Sequence, residues 1–246
     1  EKSPLEGGAG VPTTVGPEVG DEAESANAQN LSTILEILDD IENNLRKIHE
    51  HGSRADGIVK SMLQHSRGSD GNMEPTGLNA LVKEYVNLAF HGMRAGNNPI
   101  NVDIDLQLDE NVGEIDLVAE DFSRVILNLC NNGFDAMREK DKLTSRQQSG
   151  RQLSADTGNV YEPKLTVRTK SNPDAVTIEI EDNGSGIPDE IRDKILQPFF
   201  TTKKGTQGTG LGLSITNDIV KAHGGELKVS TQAGNGTTFT IDLPNK

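Results

Sequence analysis

Cysteine is almost absent from this 246-residue sequence: Cys130 stands alone, inside an apolar stretch. A single thiol excludes a disulfide framework and a zinc cluster, and it points to a reducing cytosol. In apolar surroundings a lone cysteine reads as a small buried hydrophobe. Long apolar runs are missing too. Nothing approaches the ~18 residues that span a bilayer, and no secretory signal pattern opens the sequence. Any membrane sensor is therefore expected outside these residues, and a cytoplasmic location is expected for them. Net positive charge is the third absence: the formal charge is -14. A chain this acidic repels phosphate backbones and anionic lipids, so neither nucleic acid nor a membrane surface is an expected partner.

What is present is uneven. Hydrophobic residues make up only 33%, against 26 glycines and 10 prolines, which fits a compact domain joined to segments without a core. Residues 1–30 are rich in Gly, Pro, Glu and small side chains and lack periodicity, so a disordered tail or linker is expected there. From Leu31 the texture changes. Ile34, Leu38, Ile41, Leu45 and Ile48 alternate steps of four and three, and the seam continues through Gly52, Ala55, Val59 and Met62. A sustained 3.5-residue repeat predicts a coiled-coil-like helix over 31–67 whose apolar seam faces another helix, that is, a dimerisation helix and a homodimer. One amphipathic helix packed on its own domain is the plainer alternative.

Breakers at residues 68–77 read as a linker. Beyond it, 78–246 mixes helices and strands. Helices are expected from Leu78 to about His91, Phe122 to about Lys140 and Leu211 to about His223. Strands are expected over Asn101–Leu108, from Lys164 and from Ala175, with a closing hairpin from Gly225 through AGNG to Thr237 and beyond. Lys142–Glu162 is polar and reads as a surface loop. Uneven alternation with hairpins gives an α+β class: a two-layer α/β sandwich on a mixed sheet.

Four segments in this region carry chemistry. In NLCNN, Asn128 and Asn132 are four apart and share a helix face, where amide oxygens suit a hard cation such as magnesium. Asparagines on helices more often simply face water. DNGSGIP follows a strand: Asp182 is acceptor-only when ionised and can take a hydrogen bond from an exocyclic amine of adenine, while Gly184 and Gly186 let backbone approach a flat ligand. An ordinary Asp-Asn-Gly turn is the alternative. PFFTTKKGTQGTGLGLSI leads from two aromatics through Gly205, Gly208, Gly210 and Gly212 into a helix, and so offers backbone N–H groups and a positive dipole end to phosphate. Lys203 and Lys204 add charge there. The spacing fits neither the Rossmann fingerprint nor a P-loop; aromatics beside glycines suggest a lid. AGNGTTF, around Thr237, reads as a hairpin turn at the edge of the site.

In their order and spacing these segments resemble the N, G1, F and G2 boxes of bacterial sensor histidine kinases, members of the superfamily shared with DNA gyrase, mismatch-repair and heat-shock chaperone ATPases. The resemblance covers about residues 76–246. It implies that superfamily's Bergerat-type ATP-binding sandwich, with ATP and Mg2+ under a mobile lid. By that resemblance Asn132 would coordinate magnesium, Asn128 would support phosphates or metal, and Asp182 would read adenine beside Gly184, Gly186 and Ile187. Lys203, Gly208, Gly210 and Gly212 would cradle phosphate, with Thr202, Thr209, Leu211 and Thr237 completing the nucleotide site. Gly133 departs from the alanine usual after the metal-binding asparagine, a small change that should be tolerated.

The hydrolytic relatives usually place a water-activating glutamate where Asn128 stands. An amide is no base near neutral pH, which favours a kinase over an ATPase. The kinase family's acceptor box, resembling His-Glu-Ile-Arg-Asn-Pro, is absent. Glu42–Arg67 is similar to the second helix of the acceptor hairpin. His49 is followed by Glu50, but Gly52 and Ser53 stand where a basic residue and proline would. For His49, His51, His65, His91 and His223 a solvated or hydrogen-bonded side chain is expected. The resemblance thus implies a kinase part that phosphorylates a histidine on an acceptor helix in trans or elsewhere in the full-length protein, for relay to a response regulator receiver domain. A non-catalytic ATP-dependent switch and a hydrolytic ATPase are the alternatives.

Overall fold

The computed structural model describes residues 19–66, 71–96, 98–149, 161–203 and 208–245, and divides the chain into two units, Glu1–Gly52 and Ser53–Lys246. A single helix, α1 (Val19–Ser66), runs across the division. It starts ahead of Leu31: EAESANAQN is rich in Ala and Glu and free of Gly and Pro, so part of the expected tail is helical. Residues 1–18 lie outside the described residues, as do the side chains of Met62 and His65. Along the seam Ile34, Leu38, Ile41, Leu45 and Ile48 are all exposed, as are Leu31, Leu35 and Ile37.

The second unit is built on a five-stranded sheet. Its strands are β2 (Asp103–Leu108), β4 (Lys164–Ser171), β5 (Ala175–Asp182), β6 (Glu226–Gln232) and β7 (Gly236–Pro244), in the order β2-β4-β5-β7-β6. β2 and β4 are parallel; the remaining neighbours are antiparallel, so the sheet is mixed, as expected. Period-two alternation sorts its faces. Val176, Ile178 and Ile180 on β5 and Phe239, Ile241 and Leu243 on β7 are buried. The positions between them carry polar groups such as Thr177, which donates to Asp242, and Glu181, which pairs with Arg168. Asp182 continues the apolar series of β5, and this register puts a carboxylate at a buried position (5% exposed).

Three helices form the second layer: α2 (Leu78–Ala95), α3 (Ala119–Ser149) and α5 (Gly212–Ala222), with a single turn, α4 (Asp189–Arg192), between α3 and α5 in the chain. On α3 the buried residues Phe122, Val125, Ile126, Leu129, Cys130, Phe134 and Met137 recur every three or four positions and form one stripe. Burying each large side chain contributes roughly 1.5–3 kcal/mol, which is what holds a helix otherwise rich in Lys, Arg and Glu to the sheet. Cys130 is fully buried, and burial pushes its thiol up to about 12, so it is an inert core residue. α3 continues through Ser149, past the loop expected from Lys142, because Glu, Lys, Arg and Gln propagate a helix without needing a core; residues 150–160 lie outside the described residues.

The expected linker is also only partly a linker. Residues 67–70 are outside the described residues, but β1 (Glu74–Gly77) pairs antiparallel with β3 (Glu114–Leu117). Pro75 is tolerated because a two-stranded ribbon is all edge. His223, just after α5, is buried: its Nδ1–H donates to the Ile219 carbonyl, its Nε2 accepts from the Val118 N–H at 3.0 Å, and its ring meets Phe122 edge-on. It is a hydrogen-bonded core histidine. His49, His51 and His91 are exposed.

Candidate functional site

A cleft of about 820 Å³ opens where the end of β5, the middle of α3 and the start of α5 converge. Its size lies within the range of small-molecule sites. Its lining holds two groups that differ in chemistry. Ile187, Ile191, Ile195 and Phe239 are apolar and share the lining with the buried Asp182. Asn132, Asp135, Arg138, Lys203 and Gly208, Thr209, Gly210 and Gly212 supply polar groups.

Asp182 anchors the first group. Its Oδ1 accepts from the Gly184 N–H at 2.8 Å, and the Thr237 N–H bonds the carboxylate as well. Burial pushes the carboxyl up to about 6; the two N–H donors and the charge of Lys140 oppose the rise. The turn after it is stapled to the β6–β7 hairpin: Gly234 N–H donates to the Ser185 carbonyl at 2.7 Å, and Ile187 N–H to the Thr231 hydroxyl at 2.9 Å. The Thr231 and Thr237 hydroxyls meet at 3.0 Å, so AGNGTTF is a structural wall of the site as well as a hairpin turn.

In the second group Lys203 Nζ is paired with Asp135 Oδ2 and lies 3.4 Å from Asn132 Oδ1. Asp135 also holds Arg138, which donates to the Asn98 carbonyl at 2.8 Å. Asn132 and Asp135, three apart on one helix face, thus present oxygens to the lysine of the following segment. Phe199 has φ 66, a region costly for an aromatic residue, and Gly210, with φ 72, packs against its backbone, where a Cβ would lie 2.4 Å from the Phe199 carbonyl carbon. Lys204 and Gly205 fall within 204–207, outside the described residues.

Among the residues expected from sequence, Asn132, Asp182, Gly186, Ile187, Thr202, Lys203, Gly208, Thr209, Gly210, Gly212 and Thr237 line this one cleft. Asn128, Gly184 and Leu211 do not. Asn128 Nδ2 donates to the Gly212 carbonyl at 3.2 Å and reaches the Thr216 hydroxyl at 3.5 Å, so it clasps the first turn of α5 to α3. Gly184 backs against Ala136, and Leu211 is buried. Sequence reasoning missed Asp135, Arg138, Glu139 and Lys142 on the cleft. The available signal was helical spacing: Asp135 and Glu139, three and seven positions on from Asn132, continue the asparagine's face.

Residues 117–246 match the family described as histidine kinase-, DNA gyrase B-, and HSP90-like ATPase. The chain is 33% identical over 202 residues to the sensor kinase CckA of Brucella abortus (strain 2308), covering 81% of this chain and 20% of that protein. It is 32% identical over 189 residues to the signal transduction histidine-protein kinase AtoS of Escherichia coli (strain K12), covering 76% and 26%. It thus spans about a fifth to a quarter of these relatives' lengths. The catalytic domain of histidine kinase ThkA superposes with a TM-score of 0.53 at 25% identity, over 70% of this chain and 95% of that domain. ThkA in complex with response regulator protein TrrA shares the fold, with a TM-score of 0.58 at 24% identity, over 82% of this chain and 50% of that one. The chain belongs to the histidine kinase-, DNA gyrase B-, and HSP90-like ATPase family through residues 117–246, and the relatives and the solved catalytic domain it is similar to are those of histidine kinases.

Proposed function

We propose that this chain holds Mg-ATP in the cleft and passes the γ-phosphate to a histidine on an acceptor helix outside these residues, in the cytoplasm, for relay to a response regulator receiver domain. The observation that carries this reading is that one cleft is lined both by a buried acceptor, Asp182, with apolar Ile187, Ile191, Ile195 and Phe239, and by the Asn132–Asp135–Lys203 group with Gly208, Gly210 and Gly212. That is the complement of a flat base with an amine donor attached to a polyanion. Among the described residues no three His, Cys, Asp or Glu side chains form a metal cluster. Magnesium here would be held by the Asn132 amide oxygen together with the phosphates, the sparse protein ligation that suits an ion reluctant to shed its waters. Bound there, it would neutralise charge on the transferring phosphoryl group. Lys203 and the N–H groups ahead of α5 would orient the phosphates, and Asn128 would set the angle of α5 from behind. No side chain at Asn128 can take a proton from water, which suits transfer to an imidazole rather than hydrolysis.

Incubated alone with labelled ATP, the chain is expected to accumulate no acid-labile phosphohistidine. An acceptor helix supplied in trans should become labelled, and Asn132→Ala should abolish the labelling. Acid-labile labelling of the chain alone, lost in His49→Gln, would overturn the assignment of the acceptor.

Residues 31–67 are proposed as the dimerisation helix, with 68–77 leading into the ATP-binding domain. Exposed Leu38 and Leu45 support it, since such a stripe is a liability in water. The double variant Leu38→Glu, Leu45→Glu is expected to be monomeric by light scattering with unchanged ATP affinity. A monomeric unmodified chain at high micromolar concentration would refute the idea.

A further inference from the structure

Lys140 lies two turns beyond Asn132 on α3, in the part of the helix with no buried stripe, and its side chain is nonetheless committed. The ammonium donates to the Asn183 carbonyl at 2.7 Å and to the Gly234 carbonyl at 2.9 Å, and sits 4.7 Å from the centre of the Tyr161 ring. An ammonium has three donors, and this geometry engages all of them with the π face counted as the third partner. Asn183 is the residue after Asp182. Its own side chain is fixed on every polar atom: Oδ1 accepts from the Lys164 N–H and the Tyr161 hydroxyl, and Nδ2 donates to the Glu162 carbonyl. Gly234 is the tip of the hairpin whose N–H holds Ser185. Lys140 therefore joins three segments close to the Asp182 carboxylate: Tyr161 ahead of β4, Asn183 after β5, and the β6–β7 turn.

We propose that Lys140 is a positioning residue of the nucleotide site: it clamps the turn after β5 to the β6–β7 turn, and so fixes the Asp182 carboxylate where a base must meet it. This rests on the reading of Asp182 as the acceptor for adenine. The clamp has an electrostatic side. Lys140 favours the ionised form of Asp182, while Glu181 beside it favours the neutral form; Asp141 on α3 and Tyr161 are also gathered here, Glu139 and Lys142 of α3 line the cleft with Asp182, and the neighbouring Thr237 of β7 is uncharged. The Tyr161 hydroxyl is held protonated by burial and by the nearby Asp182 and Asp141.

The test is calorimetric titration with Mg-ATP across pH 5 to 8 of the full chain, Lys140→Met, Lys140→Arg and Asp182→Asn, with a thermal melt of each. Lys140→Met is expected to bind ATP about tenfold more weakly at pH 7. Binding needs the ionised carboxylate and is lost as pH falls through the pKa of Asp182. Removing a cation raises that pKa, so half-loss should move to higher pH in Lys140→Met, and Lys140→Arg should restore both the affinity and the profile. A Lys140→Met variant with unchanged affinity and profile overturns the proposal. So does one that melts earlier and binds more weakly with an unshifted profile, since that is a fold defect alone. If Asp182→Asn binds ATP like the unmodified chain, the adenine reading itself is lost; if only Lys140→Met is silent, that reading stands and the clamp falls.

Discussion

Asp182→Asn is expected to weaken ATP binding by roughly 5- to 150-fold while making the nucleotide-free protein more stable. The two effects have one cause. The folded chain holds this carboxyl 5% exposed, and its pKa rises from the ordinary 3.8 to about 6 because burial penalises the charge. A rise of that size corresponds to roughly 3 kcal/mol. The sign follows from proton linkage: the folded form holds the proton more tightly than the unfolded chain, so this group's contribution is fully present below pH 3.8 and is lost as pH rises through about 6. At pH 7 the domain carries a buried anion that opposes folding. Asparagine removes the charge and keeps an oxygen for the Gly184 N–H. It leaves the Thr237 donor short of an acceptor, so about 1 kcal/mol of net gain is expected, or roughly 2–4 °C in the melting midpoint. With Asp182 proposed as the acceptor for adenine, the balance is expected to invert in the complex. The amide turns an N–H₂ toward a donor on the base, and a buried donor without an acceptor costs about 1–3 kcal/mol. Melts from pH 4 to 8 without nucleotide, paired with calorimetric titration, decide it. An Asp182→Asn variant that melts below the unmodified chain at pH 7, or that binds ATP equally well, would sink the argument.

AVTIEIED alternates so regularly that its register, and with it the burial of Asp182, follows from period two alone. The stripe of α3 from Phe122 to Met137 is likewise local information, and so are the glycines leading into α5. The corrections come where local signals run out. Glu74–Gly77 holds a proline and a glycine in four residues and becomes strand only because Glu114–Leu117 lies beside it. The end of α3 is polar on every side, a composition that fits an exposed helix and a surface loop equally. Residues 19–30 read as a tail because they have no apolar face, although their Ala and Glu content suits helix. Polar partners at long separation, such as Lys140 with Gly234 or His223 with Val118, leave no periodic trace at all. Asp135 shows how a site residue hides: helical spacing from Asn132 marks its face, but only the fold shows that Lys203 comes to meet it.

Gly186→Ala should be far more damaging than its single added methyl suggests. The residue has φ 69, a left-handed conformation that costs an L-residue roughly 1–2 kcal/mol by itself. The larger problem is space. A Cβ there would sit 2.1 Å from the Gln232 carbonyl oxygen, 2.8 Å from its carbon and 3.1 Å from the Ala233 Cα, all of them backbone atoms. No rotamer can relieve such a clash, so the end of β6 must move away from the turn that follows β5. That movement pulls on the Gly234–Ser185 bond and on the bond from Ile187 to Thr231, the two staples between the turn after β5 and the β6–β7 hairpin. A loss of more than about 3 kcal/mol is expected, placing the variant among the most destabilising single substitutions. ATP affinity in the surviving folded fraction should fall by more than about tenfold. Gly212→Ala is the control. It also adds a methyl to a glycine lining the cleft, but its nearest neighbours are Asn128 side-chain atoms at 3.7 Å and beyond, and helical backbone favours alanine. It should melt at or above the unmodified chain. Equal melting of Gly186→Ala and Gly212→Ala would show that the hairpin is free to shift and that the staples do not fix the site.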